Sequence, residues 1–340
     1  MPTSPSVIPY AAPVWLPGGH LQTLYATLLP KPQIDFRRER WVLDDGDFID
    51  LDWLDGPADA PLVVLFHGLE GDSSGLYARS LMAALRDVGW RGVVPHFRGC
   101  SGEPNRLPRA YHSGDSAEIG NILLRLRQTD APLYAAGVSL GGNALLKWLG
   151  EQGAAAGEIL RAAVAVSAPM DLPAAGAAMD RGLTRFYTAH FLSTLKVKAL
   201  AKLDRFPGLY DQRAIQAIDT IKAFDTLVTA SLHGFRDADD YWRRSASKPW
   251  LKQIKLPTLL INARNDPFMP GEVLPGKDEV SAHVRLEFSP QGGHVGFVSG
   301  PFPGRFDWLP QRVLSFFAGV ESKTELHEIH PFNGVGLGSR

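Results

Sequence analysis

Gly137-Val138-Ser139-Leu140-Gly141-Gly142 decides how this chain is read. An apolar run, Leu133-Tyr134-Ala135-Ala136, leads into it, and a helical pattern, Asn143-Ala144-Leu145-Leu146-Lys147-Trp148-Leu149, leads away. The spacing predicts a buried strand, a very sharp turn and a helix, with Ser139 at the apex. A turn of this kind holds its apical residue in a strained backbone conformation and needs small neighbours where strand and helix approach, which Gly137 and Gly141 supply. The helix N-terminus then aims free N–H groups and the positive end of its dipole at the place where an oxyanion would form. The G-x-S-x-G pattern also arises by chance, so the rest of the chain has to supply the partners.

Working outward, Leu62–Phe66 is a continuous apolar run of strand length, the pattern of a strand buried on both faces. It ends in His67-Gly68-Leu69-Glu70-Gly71, a tight loop whose backbone N–H groups face inward; the Leu69 N–H is the candidate second oxyanion donor, and His67 braces the loop. A helix over Leu76–Val88 and a short strand, Gly92–Pro95, follow. The next loop, His96–Arg106, lacks the spacing and lysine of a P-loop and reads as a rigid loop held by Arg98, with Cys100 a small buried residue. Ser113 or Asp115 caps a helix whose apolar face is Ile119, Ile122, Leu123 and Leu126, and Ala162–Ser167 is a further buried strand. Strands alternating with helices imply a mostly parallel sheet with helices on both faces and ligands at the C-terminal strand ends.

Residues 1–36 read as a proline-rich arm. Within it a short helix opens after Gly19, with Leu21, Leu24, Tyr25 and Leu28 on one face and His20 in a structural hydrogen bond. Residues 37–169 and 249–320 form the core. It begins with a hairpin over Arg38–Trp53 whose turn, Asp44-Asp45-Gly46-Asp47, reads as solvated and lacks the spacing of a calcium loop. Between the two core segments, residues 170–248 carry several helical patterns and no strand, which predicts a helical cap inserted over the strand ends. Strand patterns return at Leu256–Ala263 and Val284–Phe288, a last helix spans Trp308–Gly319, and residues 321–340 read as a polar tail.

The 340 residues are 45% hydrophobic and 21% charged, with a formal net charge of −1. This is an ordinary globular composition and argues against nucleic acid as a partner. A single cysteine excludes an intramolecular disulfide and a multi-cysteine metal site. No signal peptide is recognisable, and no apolar run approaches the roughly 20 residues that span a bilayer, so the expected location is the cytoplasm.

A serine hydroxyl needs a base within hydrogen-bond reach, and the base needs an orienting acid. Asp266 and His294 each follow a predicted strand, and the chain order Ser139, Asp266, His294 is that of α/β-hydrolases. The motifs Gly19-His20-Leu21-Gln22-Thr23, His67-Gly68-Leu69-Glu70-Gly71, His96-Phe97-Arg98-Gly99-Cys100-Ser101-Gly102, Gly137–Gly142, Asp266-Pro267-Phe268 and Gly292-Gly293-His294-Val295-Gly296-Phe297 resemble the α/β-hydrolase superfamily, and within it the YheT-like branch. Phe224-Asp225, His233-Gly234-Phe235 and Tyr241 are similar to that branch's cap, and the resemblance covers about residues 15–318. It implies an α/β-hydrolase fold and a serine esterase with Ser139, Asp266 and His294 as triad. The membrane anchor of the branch's eukaryotic relatives is not expected here.

The expected activity is cleavage of a carboxylic ester, with an apolar acyl or alcohol group, through an acyl-enzyme. The N–H groups of Leu69 and Leu140 hold the oxyanion, and neither metal nor cofactor is required. A thioester or an amide could be cleaved by the same groups. Two alternatives stay open at this point: a non-catalytic hydrolase-fold protein that binds a ligand or partner, and an acyltransferase using the same triad.

Overall fold

A computed structural model describes residues 9–127 and 131–329. Eight strands form one sheet in the order β1-β2-β4-β3-β5-β6-β7-β8, where β1 is Arg37–Val42, β2 Phe48–Leu54, β3 Leu62–Phe66, β4 Arg91–Pro95, β5 Leu133–Val138, β6 Ala162–Val166, β7 Thr258–Ala263 and β8 Val284–Ser289. β1 and β2 run antiparallel to their neighbours, and β4 through β8 are parallel. β3, β5, β6 and β7 are buried along their whole length, as expected of strands covered on both faces.

The helices in chain order are α1 (Gly19–Ala26), α2 (Leu76–Asp87), α3 (Ser116–Leu126), α4 (Leu140–Gln152), α5 (Leu172–Met179), α6 (Arg185–Leu203), α7 (Gln212–Ala217), α8 (Ile221–Phe224), α9 (Ser231–His233), α10 (Ala238–Ser245) and α11 (Trp308–Ile329). One apolar core lies between the sheet and α3 and α4, through residues such as Ile119, Leu123, Leu145 and Leu149. The other lies between the sheet and α2 and α11, through Leu81, Leu85, Val313 and Phe317. Asp115 caps α3 by accepting from the Glu118 N–H. Between β6 and β7 the described chain carries helices α5 to α10 joined by turns and no strand, with a π-helical turn over Asp225–Ala230.

Three local expectations need correction. The hairpin turn is not wholly solvated. Asp44 and Asp45 are exposed, but Asp47 is buried and accepts from Arg98 Nη1, Asn105 Nδ2 and the backbone N–H groups of Phe48 and Arg106. Arg98 also pairs with Glu118 and Asp45, so it does hold the 96–106 loop. That loop covers the polar side of β2 as well, where buried Asp50 and Asp52 pair with Arg40, Arg38 and His96. The alternation along β2 is therefore apolar against ion-paired rather than buried against exposed.

The second correction concerns α1. Its apolar face exists but looks outward: Leu21, Leu24 and Leu28 are exposed, while Gln22 and Ala26 are buried. The cause is polar satisfaction, since the buried Gln22 amide finds four partners inside. Third, α11 continues to Ile329, ten residues beyond the expected end at Gly319. Residues 330–340 of the expected tail lie outside the described residues.

Candidate active site

Among the described residues, four other than glycine adopt positive φ: Glu70, Ser139, Ser167 and Val295. They follow β3, β5, β6 and β8, at or beyond the C-terminal ends of those strands. Backbone strain of this kind persists only where the surroundings over-determine it.

Ser139 has φ 53° and ψ −120°, between β5 and α4. A Cβ at Gly137 would lie 2.6 Å from the Gly141 carbonyl oxygen, and one at Gly141 would lie 2.5 Å from the His67 carbonyl oxygen. No larger residue fits either place. The Ser139 N–H donates to the Val166 carbonyl at 2.8 Å, which ties the turn to β6.

The structure brings the three expected side chains together. His294 Nε2 lies 2.9 Å from Ser139 Oγ, and His294 Nδ1 lies 2.8 Å from Asp266 Oδ2. Asp266 follows β7; its side chain is fully buried, and its other oxygen accepts from the Phe268 N–H at 2.8 Å. A carboxylate on Nδ1 fixes that nitrogen as the donor, leaving Nε2 to accept from the serine.

The loop after β3 adjoins the serine, since a Cβ at Gly68 would sit 3.2 Å from Ser139 Cβ. On either side of Leu69 the N–H groups are engaged. That of Gly68 donates to Tyr77 Oη at 3.1 Å and that of Glu70 to Tyr111 Oη at 2.8 Å. The Leu69 N–H has no partner among the described residues. Leu140 is the first residue of α4, where no intrahelical acceptor exists for its N–H. His67 braces the loop through Gly68 O and the Phe97 N–H, and burial lowers its pKa to about 3, so it stays neutral. Cys100 is buried, and that burial pushes its thiol up to about 12.

Several residues at this site entered the sequence reading only within quoted motifs, with no role assigned, or not at all. Gln22 Oε1 accepts from the Gly292 N–H and from Asn265 Nδ2, and Thr23 Oγ1 accepts from the His294 N–H at 2.8 Å. α1 thus grips the histidine loop and the residue before Asp266. A Cβ at Gly19 would lie 1.9 Å from the Asn265 carbonyl oxygen, which is why the contact begins at a glycine. Ser167 Oγ accepts from the Val295 N–H.

The second missed group is the carboxylate of Glu70, which accepts from Tyr111 Oη at 2.8 Å and from Lys198 Nζ of α6 at 2.9 Å. The signal available in the sequence was the polar pair Gln22-Thr23 within an apolar stretch. For Lys198, in a helix distant in sequence, there was none.

α6 also holds the loop after β4 through Lys202, whose Nζ donates to Asn105 Oδ1 and to the carbonyls of Leu107, Pro108 and Arg109. Tyr187, near the start of α6, packs edge-on against Phe268, and the Phe268 ring lies 4.4 Å from that of His294. Met179 and Phe191 complete this apolar cluster. His20 stacks on Tyr187, with Nδ1 3.3 Å from the phenol oxygen.

Comparison with known proteins agrees with this architecture. Residues 61–301 match the family described as the alpha/beta hydrolase fold. YheT of Escherichia coli (strain K12), a protein whose name carries an inferred esterase activity, is 41% identical over 86% of this chain and 88% of its own length. Phospholipase ABHD3 of Mus musculus is 29% identical over 93% of this chain and 80% of its own. Among solved structures, Est1E of Butyrivibrio proteoclasticus with bound ferulic acid superposes with a TM-score of 0.55 at 15% identity, covering 84% of this chain and 99% of that one; it shares the fold. With its parallel sheet, its strained serine turn and this degree of identity to YheT, the chain belongs to the α/β-hydrolase family and, within it, to the YheT-like branch.

Proposed function

We propose that this chain is a serine hydrolase that cleaves carboxylic esters. The observation carrying the proposal is the unbroken line from buried Asp266 through His294 to Ser139 Oγ, at 2.8 and 2.9 Å. Ser139 attacks the acyl carbonyl while His294 Nε2 takes its proton. The tetrahedral oxyanion is held by the N–H groups of Leu69 and Leu140. His294 then protonates the leaving alcohol, giving an acyl-enzyme that water cleaves by the same route. Asp266 keeps the imidazole in the working tautomer and stabilises the imidazolium.

The helices between β6 and β7 act as a cap. Lys198 ties it to the loop after β3 and Lys202 to the loop after β4, and Tyr187, Phe191, Met179 and Phe268 give the site an apolar wall. This wall favours an acyl or alcohol group of hydrocarbon character. The phospholipase and monoacylglycerol lipase activities in the names of two relatives support the same class.

The test is hydrolysis of acyl esters of increasing chain length. Wild type is expected to turn over at least one of them, and Ser139→Ala none. Turnover retained by Ser139→Ala, or no ester turned over by wild type, contradicts the proposal.

A further inference from the structure

The outward face of α1 is one part of a larger apolar surface. Leu28 is 77% exposed and Leu21 54%; near the start of α6, Leu183 is 75% and Phe186 70% exposed; and Phe302, in the loop before α11, is 73% exposed. The pieces adjoin. Phe186 packs on Tyr187, Tyr187 stacks on His20 beside Leu21, and Trp15 touches both Tyr25 of α1 and Phe302.

This face has a second property. The chain has 36 acidic residues in 340, yet 9–34, 181–203 and 288–306, the segments that build the face, contain no Asp or Glu. Lys31, Arg181 and Arg185 are exposed on them and enter no ion pair among the described residues. Carboxylates flank these segments directly, at Asp35, Asp180, Asp204, Glu287 and Asp307; Asp180 accepts from the N–H groups of Ile221 and Lys222, Glu287 pairs with Arg312 and Asp307 with Arg305. Apolar side chains standing among cations that enter no ion pair match the boundary of an anionic bilayer. A bilayer accepts apolar side chains dispersed over separate elements, whereas a protein partner has to match their outline. The face also borders the proposed site, through Tyr187, Phe268 and His294.

We propose that this face, formed by α1, the start of α6 and the 299–306 loop, docks the protein onto an anionic phospholipid surface. The proposal deepens the ester-hydrolase reading by placing the site beside esters held in a bilayer. Docking itself requires no hydrolysis, so the two are tested separately.

The experiment is co-sedimentation of Ser139→Ala with phosphatidylcholine vesicles, with and without phosphatidylglycerol, at low and high salt. Binding is expected only with phosphatidylglycerol, and raised salt is expected to release it. Leu28→Glu with Leu183→Glu is expected to lower vesicle affinity about tenfold or more. With Ser139 intact, the same pair should keep wild-type hydrolysis of a short soluble ester. If that pair fails to fold, Arg181→Glu with Arg185→Glu carries the test, with the same expected loss.

Absence of binding to anionic vesicles overturns the proposal, and so does binding undiminished in the folded variants. A chain that ignores vesicles but dimerises through Leu28 and Leu183 overturns it in favour of a second copy. Failure of the hydrolase reading looks different: vesicle binding remains, and no ester is cleaved.

Discussion

Ser139 sits in a backbone region that a serine normally avoids, and so do Glu70, Ser167 and Val295 around it. Each is held by a bond from outside its own loop. The Ser139 N–H goes to Val166 O, that of Glu70 to Tyr111, that of Ser167 to Ile261 O, and that of Val295 to Ser167 Oγ. Such preorganisation makes small displacements costly. Asp266→Asn is expected to lower kcat by on the order of 10⁴, because the amide supports the wrong imidazole tautomer; single-turnover kinetics would show it, and a loss below tenfold would contradict it. Thr23→Val removes the acceptor of the His294 N–H, a hydroxyl that also donates to the Gly19 carbonyl. It is expected to lower kcat by about one to two orders of magnitude with KM little changed, and Thr23→Ser should restore it.

Ser139, Asp266 and His294 were legible because each follows a strand pattern in an order that acyl transfer uses. Gln22 and Thr23 stood in a quoted motif, but their hold on the histidine loop was not legible. Hydrophobic periodicity gives weight to Leu21, Leu24 and Leu28, whereas the fold buries the polar side of α1 to satisfy the histidine loop.

At the scale of elements, α6 and the loop after β3 behave as a unit. Lys198→Met leaves the nearly buried Glu70 carboxylate with Tyr111 as its remaining side-chain partner. The loop carrying the Leu69 N–H is expected to loosen, lowering kcat about tenfold at nearly constant KM, while Lys198→Arg should preserve it. Steady-state kinetics on both variants decide this.

The π-helical turn holds a second element-scale prediction. Asp225 is half-buried, accepts from Thr229 Oγ1 and Trp242 Nε1, and desolvation of its carboxylate raises its pKa to about 6. The folded state therefore binds a proton that the unfolded chain has already released between about pH 4 and about pH 6. Stability contributed by this group falls as pH rises through that window. Melting curves of Asp225→Asn should show a flatter pH slope there than wild type, and an unchanged slope would contradict the assignment.

The helices of this region were legible from the lack of strand patterns, but the π-turn left no mark in periodicity. Likewise, β2 alternates as a half-exposed strand does, and only the 96–106 loop, folded over it, explains why Asp50 and Asp52 are buried.

Across the whole molecule, the parallel sheet does the assembling. β3, β5, β6, β7 and β8 are neighbours in that order, so loops far apart in sequence meet at one edge. The sheet could be anticipated because buried parallel strands are continuous apolar runs. The tertiary grip of the N-terminal arm could not, since nothing local in residues 19–23 says that they lie against residues 265 and 292–296. Both levels meet in one claim, that this fold activates Ser139 and no other nucleophile.

Intact mass after treatment with a fluorophosphonate, on wild type and on Ser139→Ala, tests that claim most directly. The account predicts one covalent adduct on wild type and none on the variant. A well-folded wild type that takes up no adduct, or an adduct that persists in Ser139→Ala, would contradict it.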